Sequence, residues 1–165
     1  VWNISQPQNT DSKTVDGFEF AVQHLFGESG FGLGVNATVV QGDVEFDVMS
    51  LSQQAPLTGL SDSANMQLFY EKDGLSVKVT YAWRDSYLIG VGQAQGSSDA
   101  PPQFSETYGQ WDLSVGYKFS DRFTVQFEGV NLTDETARLS ERNKNTLFYG
   151  TQTGPRYMFG LRYKF

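Results

Sequence analysis

From Gln110 to Phe119 the residues alternate without a fault. Trp111, Leu113, Val115, Tyr117 and Phe119 fall on one side, and Gln110, Asp112, Ser114, Gly116 and Lys118 on the other. Successive side chains of a strand point to opposite faces, so this segment reads as a one-sided β-strand. About 10 residues is also the length a tilted strand needs to cross the hydrocarbon of a bilayer. Leu75 to Arg84 repeats the pattern, with Leu75, Val77, Val79, Tyr81 and Trp83 opposite Ser76, Lys78, Thr80, Ala82 and Arg84. Pro155 to Phe165 does so again, with Tyr157, Phe159, Leu161, Tyr163 and Phe165 on the apolar side.

Four further segments read as strands. Phe31 to Val39 aligns Phe31, Leu33, Val35, Ala37 and Val39, and Asn65 to Glu71 aligns Met66, Leu68 and Tyr70. Gly17 to Phe26 is less regular, because His24 shares the face of Phe18, Phe20 and Val22 while Leu25 opposes it. Phe123 to Leu132 begins with Phe123, Val125 and Phe127 in phase and then shifts parity at Val130 and Leu132. A bulge or a strand end near Gly129 accounts for that shift.

The connections alternate in length. Gly27 to Gly30, Lys72 to Gly74 and Ser120 to Arg122 are short and carry tight-turn residues. The stretches from about Asp47 to Ala64, Asp85 to Gly109 and Thr133 to Gly154 are long and rich in Ser, Gly, Gln, Asn and Pro. Short turns at one end and long loops at the other characterise outer-membrane barrels. If the short turns are periplasmic, Trp83 and Trp111 lie at the outer rim, and Phe26, Phe31, Phe119, Phe123 and Phe165 at the periplasmic rim. Aromatic belts at both interfaces follow from turn length alone.

Composition narrows the alternatives. The chain has 19 acidic and 12 basic residues, a net charge of −7, which speaks against nucleic acid as a partner. It has no cysteine, hence no disulfide, thiolate metal site or cysteine nucleophile. No acid–base pair or nucleophile site assembles from spacing, so no catalytic, cofactor or metal residues are expected, and the protein is not expected to be an enzyme. His24 is the only histidine, Gly30-x-Gly32-x-Gly34 lacks the spacing of a dinucleotide fingerprint, and no acidic run has the order of a calcium loop. No stretch reaches the roughly 20 apolar residues of a membrane helix. A soluble barrel with its apolar face inward remains open. The chain starts mid-pattern at Val1-Trp2-Asn3-Ile4, which reads as a cut, and Trp2-Asn3-Ile4 could be the remnant of an eighth strand.

Specific motifs add a family. Gly129-Val130-Asn131-Leu132-Thr133-Asp134-Glu135, Gly154-Pro155-Arg156-Tyr157 and Gly160-Leu161-Arg162-Tyr163-Lys164-Phe165 resemble the closing segment of TonB-dependent receptors, although Pro155 separates Gly154 from Arg156. Upstream, Gly17-Phe18-Glu19-Phe20 is similar to a "G-x-E" strand of that family. Gln23 to Gly27, Gly59 to Asn65, Phe69-Tyr70-Glu71 and Tyr81 to Asp85 resemble a subgroup linked to carbohydrate uptake. The resemblance implies an all-β, antiparallel, up-and-down transmembrane β-barrel segment, about seven to eight strands of a barrel of roughly 22. Residues 1–165 would form the C-terminal portion of that barrel, with the plug domain absent. It implies a bacterial outer-membrane location and active uptake of a solute, a carbohydrate or a siderophore. The implied partners are outer-membrane lipid, the rest of the barrel and plug, the TonB complex and the barrel assembly machinery. The alternative is a small independent outer-membrane barrel with binding or adhesive loops.

Two residue sets follow. Tyr157, Phe159, Leu161, Tyr163 and Phe165 resemble the C-terminal signal read by the assembly machinery. Strand addition, with alternate side chains entering pockets, is the physical logic of such a signal. Arg84, Asp85 and Tyr87 at the outer rim, with Phe104, Tyr108, Arg138, Arg142, Phe148 and Tyr149 in the long loops, are candidates to contact extracellular solute. Rings stack on sugar faces, and Asp and Arg hydrogen-bond hydroxyls. Lys78, Arg84, Asp112, Lys118, Arg156 and Arg162 are expected on the lumen side, since charges facing lipid cost a few kcal/mol near the midplane.

Overall fold

A computed structural model describes residue 9 and residues 12–50, 54–92, 100–143 and 145–165. Trp2-Asn3-Ile4, and with it the suggestion of an eighth strand, lies outside the described residues. Seven strands form one antiparallel sheet in the order β1 (Val15–Leu25), β2 (Phe31–Gly42), β3 (Ser63–Lys72), β4 (Leu75–Arg84), β7 (Tyr108–Lys118), β8 (Phe123–Val130) and β11 (Arg156–Tyr163). These are the seven segments that alternation marks out, each within a few residues of its expected bounds. Five of them have 10–12 residues, enough to span hydrocarbon at a tilt, while β8 and β11 have 8.

The register carries one apolar surface across the sheet. Val22 faces Val35, Val35 faces Met66, Met66 faces Tyr81 and Tyr81 faces Trp111. A second row runs Phe31, Tyr70, Val77, Val115, Phe127 and Phe159. The intervening rows are polar or small: Gln23, Gly34, Gln67, Thr80 and Asp112 lie side by side, as do Ala21, Asn36, Asn65, Ala82 and Gln110. A one-residue slip in any pair would exchange the two surfaces, so the register follows from the alternation itself.

The polar surface is the concave one. It holds a hollow of about 520 Å³ lined by Gln23, Asn36, Asn65, Gln67 and Thr80. Asn65 Nδ2 donates to Asn36 Oδ1 there at 2.9 Å. The apolar surface is uncovered, with Phe18 exposed by 83% and Phe159 by 69%. A soluble barrel packs its apolar face inward. This sheet turns it outward, which is tolerable only if hydrocarbon covers it.

Ring contacts gather at both ends of the strands. Tyr81 and Trp111 lie 4.7 Å apart toward the long-loop end. At the short-turn end Phe31 meets Tyr70 at 4.7 Å, Phe119 meets Phe123 at 5.6 Å and Tyr163 meets Phe165 at 5.2 Å. The turn between β3 and β4 has Asp73 and Gly74 both at positive φ, 51° and 80°, the two-residue turn that matches strand twist. Gly32 has a packing reason, since a Cβ there would run into the Phe69 ring on the lumen side.

The parity shift after Phe127 resolves as a strand end. β8 pairs without interruption with β7 through Gly129 and with β11 through Val130. Asn131 then turns the chain at φ 56°. The irregular Gly17–Phe26 segment is a regular strand: His24 sits in the apolar row beside Leu33, and Leu25 faces the lumen beside Gly32.

The long loops are not structureless. They contain β5 (Tyr87–Gly90), β6 (Gln103–Ser105), β9 (Ala137–Ser140) and β10 (Leu147–Thr151), which form a second sheet in the order β10-β9-β6-β5. Alternation over such short pieces is too brief to mark them out. They pair loop with loop: Phe104 faces Ser140 and Ser105 faces Leu139.

Candidate functional site

The second sheet ties all three long loops into one cap. The loop before β3 joins through Gly59, whose N–H donates to Leu88 O at 2.9 Å, and through Ser61, whose hydroxyl donates to Asp85 O at 2.7 Å. The Phe46 and Phe104 rings lie 6.4 Å apart between that loop and β6. Leu88 at 8%, Ser140 at 1% and Asn131 at 1% exposure are buried in this cap and at its root, whereas the buried residues of the wall strands are the glycines Gly32, Gly34 and Gly129.

Arg84 closes β4 and sits opposite Tyr108, the first residue of β7. Its guanidinium carbon lies 4.5 Å from the centre of the Tyr87 ring, a cation–π contact that restrains the side chain. Arg138 on β9 is brought alongside when Glu106 N–H donates to Arg138 O at 3.0 Å. Tyr149 on β10 lies opposite Leu139 of the same β9. Together Arg84, Ser105, Glu106, Tyr108, Arg138 and Tyr149 border a hollow of about 290 Å³, with Thr151 and the apolar Ala137 and Leu139.

Four of the nine candidate residues, Arg84, Tyr108, Arg138 and Tyr149, therefore meet in one place. Tyr87 stands behind Arg84 without bordering the hollow. Asp85 is occupied by its own loop, because its carboxylate accepts from Ser86 N–H at 2.7 Å and Thr107 Oγ1 at 2.9 Å. Phe104 packs toward Phe46, Arg142 follows β9 outside the lining, and Phe148 is half exposed on β10. Glu106, Ser105 and Thr151 border the hollow without having been expected there. Nothing in the sequence separates them from other polar loop residues.

Below the hollow a hydrogen-bond ladder descends the lumen face of β7. Tyr108 OH donates to Gln110 Oε1 at 2.7 Å, and Gln110 Nε2 donates to Asp112 Oδ1 at 2.7 Å. The same Asp112 oxygen accepts from Asn131 N–H at 2.9 Å. Asn131 folds its side chain onto its own turn, accepting from Glu135 N–H at 2.8 Å and donating to Glu135 O at 3.0 Å. The Asn131-Leu132-Thr133-Asp134 motif is thus the root of the loop that delivers Arg138 and Tyr149. Among the described residues no group of three or more His, Cys, Asp or Glu is placed to hold a metal ion.

An outward apolar surface, a concave polar one, aromatic ends and loops gathered at one rim define a sector of an outer-membrane β-barrel wall. Residues 2–132 match the family model described as TonB dependent receptor-like, beta-barrel. The match spans most of the chain, and the chain belongs to that family. No curated protein and no solved structure matches the chain. The family is one of bacterial outer-membrane transporters and receptors, not typically enzymes, whose barrels work with the membrane, a plug and TonB. The match ends at Leu132, so the likeness of Gly154–Phe165 to the family's closing strand rests on those residues alone.

Proposed function

We propose that this chain is the C-terminal wall sector of a longer outer-membrane receptor that takes up a carbohydrate or a siderophore by TonB-coupled transport. The observation that carries it is the inside-out sheet with two open edges. Among the described residues nothing pairs with the outer edge of β1 or of β11. Unpaired backbone groups cannot stand in hydrocarbon, so further strands must complete the ring. Those strands, and the plug inside them, belong to the remainder of the receptor. The sector supplies wall, the lumen face of the solute path and the extracellular cap, where Arg84, Tyr108, Arg138 and Tyr149 contact solute, with Tyr87 supporting Arg84.

The edge strand β11 presents Tyr157, Phe159, Leu161 and Tyr163 on one exposed face, with Phe165 beyond it. This supports its reading as the strand that the barrel assembly machinery engages by edge pairing.

The test is the mass of the native polypeptide in purified outer membranes, detected with an antibody to residues 133–154. The proposal expects a band far larger than a 165-residue chain. A band of that small size would overturn it and leave a self-contained barrel whose function lies in its loops.

A further inference from the structure

The lining of the hollow in the cap runs against the charge of the chain as a whole. The chain carries −7 overall, yet this lining sets two arginines, Arg84 and Arg138, against one carboxylate, Glu106. Neither guanidinium forms an ion pair among the described residues. Arg84 is restrained by its cation–π contact with Tyr87, and its planar N–H fork can meet a planar oxyanion with two bonds. Arg138 is held to the short connection leading into Tyr108, the register partner of Arg84, through the Glu106–Arg138 backbone bond. Glu135, Asp112 and Arg156 lie within electrostatic reach of Tyr108, but Asp112 is already occupied by Gln110 and Asn131.

We propose that this hollow binds the oxyanion of an acidic solute, a carboxylate, sulfate or phosphate, between Arg84 and Arg138. The inference rests on the uptake reading above and narrows its solute class. An oxyanion held by both arginines neutralises the cationic side of the lining and gains charge-assisted hydrogen bonds, whereas a neutral sugar gains only uncharged ones. The volume, about 290 Å³, is near the lower bound of small-molecule sites. It holds one acidic ring or chelate arm, with Tyr149 and Tyr108 as walls, and the rest of a larger solute projects outward. Glu106 is left to accept from solute hydroxyls.

Two kinds of solute offer this chemistry, acidic saccharides and anionic iron chelates, and one experiment separates them. Equilibrium binding is measured on outer membranes carrying the whole receptor, with three probes: oligogalacturonate, its methyl ester and ferric citrate. The proposal expects one of the two anionic probes to bind, with affinity that falls as salt is raised, and the ester to bind at least tenfold more weakly than the acid if the saccharide is the ligand. Arg138→Gln and Arg84→Gln each weaken binding by roughly tenfold or more, the scale of a charge-assisted bond. Lys118→Gln, at the opposite end of β7, leaves binding unchanged. Heat-dependent gel mobility confirms that each variant is folded, and the salt dependence of the unaltered receptor stands even if a variant is not.

Binding of the ester as tightly as a bound acid, indifference to salt, or no binding of either anion would overturn the proposal. Arginine-dependent binding in cells that show no energised uptake would keep the site and remove the transport reading. Uptake that is unaffected by both arginine substitutions would do the reverse.

Discussion

Asp112 on β7 and Asn131 at the end of β8 are joined by a 2.9 Å hydrogen bond from the Asn131 amide to Asp112 Oδ1. The two residues stand 19 positions apart, and the bond fixes where the wall stops and the loop bearing β9 and β10 begins. Asp112→Ala leaves a part-buried amide and the Gln110 side chain without their acceptor. The expected cost is roughly 1–3 kcal/mol of stability. Protease added to intact cells should then cut between residues 131 and 155 faster than in the parent, while Asp112→Asn, which keeps an acceptor oxygen, should change the rate little.

Asn131 combines a left-handed backbone at φ 56° with a side chain that closes its own turn on Glu135. Asn131→Gly retains the backbone freedom and loses the side-chain bonds. Asn131→Ala loses both, adding about 1–2 kcal/mol of left-handed strain. Denaturant unfolding in detergent should rank the parent above glycine and glycine above alanine. Equal stability of the two variants would contradict the backbone role.

Val79 and Thr80 are sequence neighbours on opposite surfaces of β4. Val79 lies in the apolar row with Leu68 and Leu113, and Thr80 faces Gln67 and Asp112. Val79→Arg should cost roughly 2–4 kcal/mol in bilayer folding equilibria, the penalty of a lipid-facing arginine near the midplane. Thr80→Arg, beside Asp112 in the lumen, should cost far less.

At the other end of the wall, Lys118 and Asp121 form a salt bridge across the turn after β7. The hydrogen bond from Lys118 and then its charge hold the Asp121 carboxyl below its ordinary range. A lowered carboxyl pKa stabilises the fold above the unfolded-state value, and the effect disappears as pH falls through the folded one. Both side chains are largely exposed, so the effect is small and weakened by salt. The stability difference between parent and Asp121→Asn should be present at neutral pH, shrink in high salt and vanish in acid below the folded-state titration.

The wall was legible because each strand states its own surface. Trp111, Leu113 and Val115 need no knowledge of their partners to define an apolar face. The cap was not legible, because β6 has three residues and its pairing with β9 joins Phe104 to Ser140 across two intervening wall strands. Burial of Ser140 follows from that pairing, and burial of Leu88 from the pairing of β5 with β6 beside it, not from any local pattern. The candidate site divides along the same line. Arg84 is a strand end that alternation places at the rim, whereas Tyr108 joins it only because β7 begins two residues earlier than its alternation marks, and Arg138, Tyr149 and Glu106 only through contacts between loops. Asp85 looked equally available in the sequence, but its carboxylate closes a turn with Ser86 and Thr107.

The central claim is that the apolar surface of the sheet meets lipid and the polar surface meets water. The chain has no cysteine, so single cysteines can carry a nitroxide without background labelling. Labels at Val77, Lys78 and Val79 on β4 and at Leu113, Ser114 and Val115 on β7 would be compared in receptor-bearing membranes for collisions with oxygen and with a water-soluble nickel chelate. Oxygen access is predicted to dominate at Val77, Val79, Leu113 and Val115, and chelate access at Lys78 and Ser114. The opposite phase, or chelate access at all six positions, would contradict the account.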